Sequence, residues 1–145
     1  MPAKDHIHLQ VKNALEKDGW KIIQDPLFIP VEGLAGLYVD LAAEEILSAE
    51  KNGKHIVIEI KGFGAQSLTH DFYEALGQAL VYEAALQERE VDWPLYLAIP
   101  LEEFNRIEKV PLFIRLLDKF AVNIVVVDIT LQKVYAWRTQ KSISK

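Results

Sequence analysis

One strand-turn-strand segment constrains the fold of this chain more than any other part of its sequence. Residues 51–54 read KNGK, and Asn-Gly favours the type I′ turn of a β-hairpin because both residues tolerate φ > 0. The returning stretch, residues 55–61, alternates in character, so the isoleucines at positions 56, 58 and 60 share one face. Glu59 and Lys61 take the other face. The pattern therefore predicts a half-buried strand that ends in a carboxylate and an ammonium side by side.

This pair of charges is the first candidate site. Side chains at i and i+2 of a strand lie roughly 7 Å apart. Asp40, which follows a glycine-containing connection at residues 31–36, would add a second carboxylate. Two carboxylates and a lysine are the minimum apparatus for holding Mg²⁺ and cutting a phosphodiester. The alternative is a surface or edge-strand ion pair, in which Glu44 is the partner of Lys61.

Composition and charge set the limits of this interpretation. The chain has 145 residues, half of them hydrophobic, which predicts one domain with a substantial core. The absence of cysteine excludes disulfides, thiolate metal sites and thiol nucleophiles. No signal-peptide core and no apolar run of membrane-spanning length is found, so we expect a cytoplasmic protein with no membrane association. The net charge of −5 counts against strong binding of DNA by this chain alone.

The pattern along the chain predicts an α/β fold in one domain, with a mixed central sheet flanked by helices. Periodicity and turn residues predict the order α-β-β-β-α-β-α-β-β. The helices are expected at about residues 5–18, 69–88 and within 101–120. Strands are expected at about 20–28, 37–47, 55–61, 95–99, 122–128 and 133–138. The wholly apolar strand at 95–99 should be central and parallel to a neighbour. We expect the domain to span residues 1–138 and residues 139–145 to form a flexible tail.

The order of these elements, with an acidic residue on the second strand and Glu-x-Lys on the third, resembles the restriction-endonuclease-like, or PD-(D/E)xK, nucleases. On the next helix, Gln78 and Tyr82 have the Gln-x-x-x-Tyr spacing of the RecB-like branch. Their i,i+4 separation places both on one helical face. Glu-x-Lys alone is a weak motif, and the three motifs on their expected elements are much more specific. The alternative is that Gln78 and Tyr82 are only the polar edge of an amphipathic helix.

The sequence is also similar, from residue 2 to about residue 138, to one narrower family. These are the XisH proteins, the fdxN-element excision controlling factors of cyanobacteria. The segments that carry the resemblance are MPAKD at 1–5, VKNALEKDGW at 11–20, YVDL at 38–41, AEKNG at 49–53, VIEIKGF at 57–63, ALGQA at 75–79 and LYLAIP at 95–100. Gly62 departs from the family pattern, where a serine is expected after the lysine.

The resemblance implies a role in programmed DNA excision, with an XisI-type protein and a site-specific recombinase as partners. In the nuclease interpretation, Asp40, Glu59 and the backbone carbonyl of Ile60 would hold Mg²⁺ or Mn²⁺. Lys61 would position or deprotonate the attacking water or contact phosphate. Gln78 would orient a water or a ligand, and Tyr82 would hydrogen-bond a phosphate oxygen.

The hairpin register poses a geometric problem for this site. In a two-residue Asn-Gly hairpin, paired positions sum to 105, so Glu59 faces Ile46 and Lys61 faces Glu44. If residues 37–47 form one straight strand, Asp40 lies roughly 20 Å from Glu59. The strand must then bend or bulge, or the hairpin must centre elsewhere. Glu44 is a rival carboxylate, although Asp40 matches the nuclease pattern better.

Two functional classes follow. One is a metal-dependent endonuclease or DNA-processing subunit, and the other is a catalytically inactive protein that uses the same scaffold to bind its partner or a recombinase. Oligomeric state, including a homo-oligomer, stays open. His8 and Lys12 share a face of the first helix, where they would reach phosphate or, more simply, face solvent. The three tryptophans are expected to be packing anchors, since no basic residues interleave with them.

Overall fold

Four helices and eight strands make up the part of the chain that the structure describes. The structure is a computed structural model, and it describes residues 3–32, 38–40, 46–63 and 67–140. In chain order the elements are α1 (Ala3–Lys17), β1 (Lys21–Gln24), β2 (Pro30–Glu32), β3 (Tyr38–Asp40), β4 (Ile46–Lys51), β5 (Lys54–Ile60), α2 (Leu68–Glu88), β6 (Leu95–Pro100), α3 (Leu101–Glu108), α4 (Pro111–Lys119), β7 (Asn123–Asp128) and β8 (Lys133–Arg138).

The central sheet is mixed and has the strand order β1-β4-β5-β6-β7-β8. β5, β6 and β7 run parallel to one another, while β4 and β8 are antiparallel to their neighbours. Parallel neighbours need a crossover, which α2 supplies between β5 and β6, and α3 and α4 between β6 and β7. The carboxyl ends of the three parallel strands therefore lie at one edge of the sheet.

The predicted β4–β5 hairpin is confirmed. Lys51 pairs with Lys54, and the turn residues Asn52 and Gly53 have φ values of 53° and 81°. These positive values are what the type I′ turn requires. The register places Glu59 opposite Ile46, as the Asn-Gly turn predicts.

The sheet separates two hydrophobic clusters. On one face, α1 packs its buried stripe against the isoleucines of β5 and against β6 and β7; this cluster contains Val11, Ala14, Leu15, Leu47, Ala49, Ile56, Ile58, Ile60, Tyr96, Ala98, Val125 and Val127. On the other face, α2, α3 and α4 cover Val57, Leu95, Leu97, Ile124 and Val126. The result is a three-layer arrangement with helices on both sides of a sheet.

The predicted fold class is confirmed: a mixed sheet is flanked by helices, and the predicted order matches the observed elements. The structure corrects several details. The first strand, expected over residues 20–28, ends at Gln24, and β2 occupies the start of the stretch expected to be a connection. Within the stretch expected to be one strand over residues 37–47, β3 pairs with β2 in a two-stranded sheet, whereas β4 belongs to the central sheet. The helical region within 101–120 consists of two helices, since Pro111 begins a second one after Val110.

The tryptophans are packing residues, as expected. Trp20 and Trp137 contact each other with ring centroids 5.8 Å apart beside the α1 cluster, and Trp93 stacks on His55 at 4.5 Å. At the other end of the chain, Thr139 and Gln140 make hydrogen bonds to Tyr96 and Asn123. Residues 141–145 lie outside the described residues, so the flexible tail stays a prediction.

Candidate functional site

Glu59 and Lys61 project from the α2 side of β5, near its carboxyl end. Ile58 and Ile60 belong to the cluster under α1, whereas Val57 belongs to the cluster under α2. Strand alternation therefore places the Glu59 and Lys61 side chains on one face, as predicted, and that face is covered by α2. Glu59 is only 1% exposed, although its strand neighbours are apolar. A carboxylate buried in such a position is costly to maintain, which favours a specific role for it.

Lys61 is held by an ion pair with α2. Its Nζ lies 2.7 Å from Oε1 of Glu74, and its side chain is 13% exposed while that of Glu74 is 48% exposed. An ion pair with one exposed partner contributes only about 0–1 kcal/mol. Lys61 can therefore exchange Glu74 for a phosphate or a water at little cost. Glu44, the partner considered from sequence, lies outside the described residues.

The contact with Glu74 fixes which face of α2 overlooks the site. Glu74, Gln78 and Tyr82 are at positions i, i+4 and i+8, so they form one strip along the helix. Because β5 and β6 are parallel, α2 runs back along the sheet from the carboxyl end of β5. Four helical residues advance ~6 Å, about as far as the two strand residues from Lys61 to Glu59. Gln78 is thus expected at the level of Glu59, with Tyr82 one turn further back.

Both predicted α2 residues are half-buried, and Tyr82 also packs against the apolar cluster beneath the helix. Two carboxylates on this helix escaped prediction. Glu74 lies four residues before Gln78, so the helical spacing that links Gln78 and Tyr82 would have found it. Asp71 is 3% exposed in the first turn of α2. In the sequence, the spacing of three residues between Asp71 and Glu74 is the sign that both lie on one face of the helix.

Asp40 belongs to the small β2–β3 sheet, where it pairs with Pro30. Its side chain lies outside the described part of the chain, as does Glu44. The attachment of this sheet is described: the Leu27 amide donates to the Ile46 carbonyl at 2.9 Å, directly across β4 from Glu59. Leu27 and Ile29 then pack into the cluster under α2. The chain that leads to β2 thus enters on the Glu59 face of the central sheet.

This route changes the geometric problem posed by the hairpin register. The expected separation of roughly 20 Å between Asp40 and Glu59 assumed one straight strand from residue 37 to residue 47. Because β3 and β4 lie in different sheets, the distance between Asp40 and Glu59 no longer follows from the hairpin register. A meeting of Asp40 and Glu59 stays a prediction, without the need for a shifted hairpin.

The donor chemistry of these residues fits a hard divalent cation. Carboxylate and main-chain carbonyl oxygens are the ligands that Mg²⁺ and Mn²⁺ accept, and Glu59 and the carbonyl of Ile60 adjoin each other at the strand end. Among the described residues, no three histidine, aspartate or glutamate side chains stand close enough to hold one ion. The second carboxylate that the sequence predicts for this site is Asp40, with Glu44 as its rival.

His8 and Lys12 both contact Asp25, which directly follows β1. Nε2 of His8 lies 2.9 Å from Oδ1 of Asp25, and Nζ of Lys12 lies 2.7 Å from Oδ2. Burial alone would raise the pKa of Asp25, but the hydrogen bonds from Lys12 and His8 outweigh burial and hold this pKa below its usual value. The cluster fastens the end of β1 to α1. Sequence spacing gave no sign of it.

Gly62 directly follows the catalytic candidate Lys61 and is in contact range of α1. A Cβ at Gly62 would lie 3.3 Å from Cδ1 of Ile7, which is tighter than an ordinary contact. The serine expected at this position would require the Ile7 side chain to move by a few tenths of an ångström. The departure from the family pattern is thus matched by a bulky neighbour on α1.

Fold and site together define a mixed α/β protein that carries a buried carboxylate and a lysine at the carboxyl edge of its parallel strands. Comparison with known proteins identifies the family. The XisH family model, described as XisH protein, matches residues 1–135. The chain belongs to the XisH family.

Two solved structures are similar to this chain over nearly their whole length. An XisH family protein from Nostoc punctiforme PCC 73102 is 32% identical, with a TM-score of 0.83, and the match covers 93% of this chain and 100% of that one. An fdxN element excision controlling factor protein from Anabaena variabilis is 34% identical, with a TM-score of 0.82 and coverage of 93% and 99%. No curated protein matches the chain. In the described part of the chain, no helix is long and apolar enough to cross a membrane.

Proposed function

We propose that this protein is a metal-dependent, nuclease-like subunit that acts in the cytoplasm to control site-specific excision of a DNA element. The similar protein from Anabaena variabilis is an fdxN element excision controlling factor by name. One observation carries the proposal: the carboxylate of Glu59 is buried on the α2 side of β5, and the ammonium of Lys61, on the same side, contacts Glu74 of α2. Gln78, four residues after Glu74, is expected beside them. This arrangement resembles the PD-(D/E)xK nucleases.

Each side chain has a role that follows from its chemistry. Asp40 and Glu59, with the carbonyl of Ile60, would hold Mg²⁺ or Mn²⁺. When bound, the ion would lower the pKa of a water and offset phosphate charge. Lys61, after leaving Glu74, would contact the phosphate or direct the attacking water. Gln78 would orient that water by its amide, and Tyr82 would donate a hydrogen bond to a phosphate oxygen.

The net charge of −5 bears on how this chain would reach DNA. Acidic residues outnumber basic ones, so non-specific affinity for DNA should be weak. We therefore expect an XisI-type partner or a site-specific recombinase to supply basic surface and to bring the chain to its DNA. Assembly into a homo-oligomer would present two such sites to one duplex.

A second candidate function is a catalytically inactive scaffold that binds its partner or the recombinase. The ion pair between Lys61 and Glu74 favours it, because the lysine is already neutralised within the chain. The two functions differ in one measurable property: only the nuclease turns over DNA when Mg²⁺ or Mn²⁺ is added.

The test is a titration with Mg²⁺ and with Mn²⁺. Two quantities are measured at each metal concentration: the melting temperature of the protein and the cutting of plasmid DNA. A ligand that binds only the folded state raises the melting temperature by mass action. We expect the rise and the cutting to be lost in Asp40→Ala and Glu59→Ala and kept in Glu16→Ala on the far side of the sheet. Stabilisation without cutting favours the scaffold. No response of the wild type to either metal contradicts the nuclease.

A further inference from the structure

A second concave surface lies at the same edge of the sheet, past the ends of β6 and β7. This cleft has a volume of about 590 Å³ and is bounded by the first turn of α3, by the β7–β8 turn and by Ile7 of α1. Its size is within the range of ~300–1,000 Å³ that is typical of binding sites. It shares Ile7 with the surroundings of Gly62, so an occupant of the cleft would lie next to the Glu59 and Lys61 strand end.

The floor of the cleft is apolar and partly exposed. Ile7 and Leu101 are half-buried, and Leu131 is 60% exposed in the β7–β8 turn. Local hydrogen bonds fix this turn: Asp128 accepts from the Leu131 amide, and Lys17 of α1 donates to the Leu131 carbonyl at 3.1 Å. The leucine is thus displayed by a well-supported turn. Its exposure leaves apolar area that an occupant would bury.

The rim of the cleft is acidic. Of the described residues that line it, Glu102, Glu103 and Asp128 are acidic and none is basic. Burial raises the pKa of Glu103 above its usual value, and the charge of Glu102 adds to this, against the lowering effects of its backbone hydrogen bond and of Arg106. The positive end of α3 accommodates carboxylates in its first turn. A cation from outside would further relieve the repulsion between Glu102 and Glu103.

We propose that this cleft is the docking site for a basic segment of a partner protein, in which lysine or arginine residues flank an apolar anchor. The anchor would cover Leu101 and Leu131, while the cations would pair with Glu102 and Glu103. Charge complementarity selects this occupant: the rim repels phosphate, and a second copy of this chain carries the same net charge of −5. The proposal is independent of catalysis, since none of these residues belongs to the candidate nuclease site.

The probe is a short amphipathic peptide in which lysines flank leucines, compared with a matched peptide that has glutamates in place of the lysines. Binding to the full chain is measured by fluorescence anisotropy, and the contact surface by chemical-shift changes in NMR spectra. We expect the basic peptide alone to bind, with shifts at Leu101, Glu103 and Leu131. The double variant Glu102→Gln/Glu103→Gln should weaken binding roughly tenfold, and Leu131→Ser by a similar factor.

The control is Glu16→Gln/Glu88→Gln, which removes the same charge from exposed positions on α1 and α2 and should leave binding unchanged. Equal weakening by the control pair, or equal binding of the acidic peptide, would overturn the proposal. So would shifts confined to another surface. Self-association in sedimentation that Leu131→Ser abolishes would show that a second copy is the occupant instead. Thermal melting of each variant confirms that it folds.

Discussion

Replacing Glu59 with glutamine tests whether this carboxylate serves function or stability. Glu59 is 1% exposed, with Ile46 opposite on β4 and Leu97 opposite on β6. Burying a carboxylate costs several kcal/mol in real proteins, and burying an amide costs about 1–3 kcal/mol. Glutamine keeps the shape of the side chain and its capacity to accept a hydrogen bond. The substitution therefore removes the burial cost of the charge, together with the interactions that the charge makes within the protein.

After allowance for the interactions that the charge makes within the protein, we expect Glu59→Gln to stabilise the fold by about 1–2 kcal/mol. For a chain of this length, the melting temperature should rise by roughly 2–6 °C. Urea unfolding followed by tryptophan fluorescence measures the free energy of unfolding, with an unchanged slope as the check on two-state behaviour. The response to Mg²⁺ should disappear in the same variant.

A matched control is available in the same strand. Val57 is fully buried on the same face, and Val57→Ala should destabilise the protein by about 1–3 kcal/mol through loss of core packing. If Glu59→Gln destabilises the fold by a comparable amount and leaves the metal response intact, the carboxylate is a structural residue. The reasoning from burial to function would then be refuted.

Three further predictions concern the surroundings of the site. Glu74→Gln should release Lys61 and tighten DNA binding by about twofold to fivefold, whereas Lys61→Ala should weaken DNA binding. Fluorescence anisotropy with a labelled duplex at fixed salt measures both affinities. Unchanged affinity in both variants would contradict the role of this ion pair. Because the pKa of Asp25 is lowered, its contribution to stability is present above the usual carboxylate pKa and is lost as pH falls through the folded value. Because Asp25 lies at an exposed position, Asp25→Asn should cost only about 0.5–1 kcal/mol at pH 7 and almost nothing in acid. A cost that persists in acid would count against a role for the charge. Gly62→Ser should destabilise the fold by about 0.5–1 kcal/mol, and adding Ile7→Val should restore that stability. Equal melting temperatures for Gly62→Ser and for the double variant would contradict the contact between residue 62 and Ile7.

Local sequence rules predicted the elements that depend on local chemistry. The Asn-Gly turn fixed the register of β4 and β5, and the apolar run at residues 95–99 indicated a central parallel strand. Alternation along β5 placed Glu59 and Lys61 on one face. These features succeeded because each depends on a few neighbouring residues whose backbone preferences agree with the fold.

Features that depend on tertiary packing could not be predicted in this way. The membership of β3 and β4 in different sheets escaped prediction because residues 37–47 have strand-like composition throughout, and the pairing of β3 with β2 is a tertiary contact. The partner of Lys61 came from a different element, and the partner that His8 and Lys12 share, Asp25, lies just after β1. Ion pairs across elements leave no periodic pattern in a sequence.

The nuclease that we propose requires Asp40 and Glu59 to share one divalent cation. Electron paramagnetic resonance of free Mn²⁺ counts the ions that the protein takes up, and it needs neither DNA nor turnover. We expect about one bound ion per chain in the wild type, and none at the same concentration in either Asp40→Asn or Glu59→Gln. Uptake by the wild type that survives both substitutions, or no uptake by the wild type, would contradict this proposal.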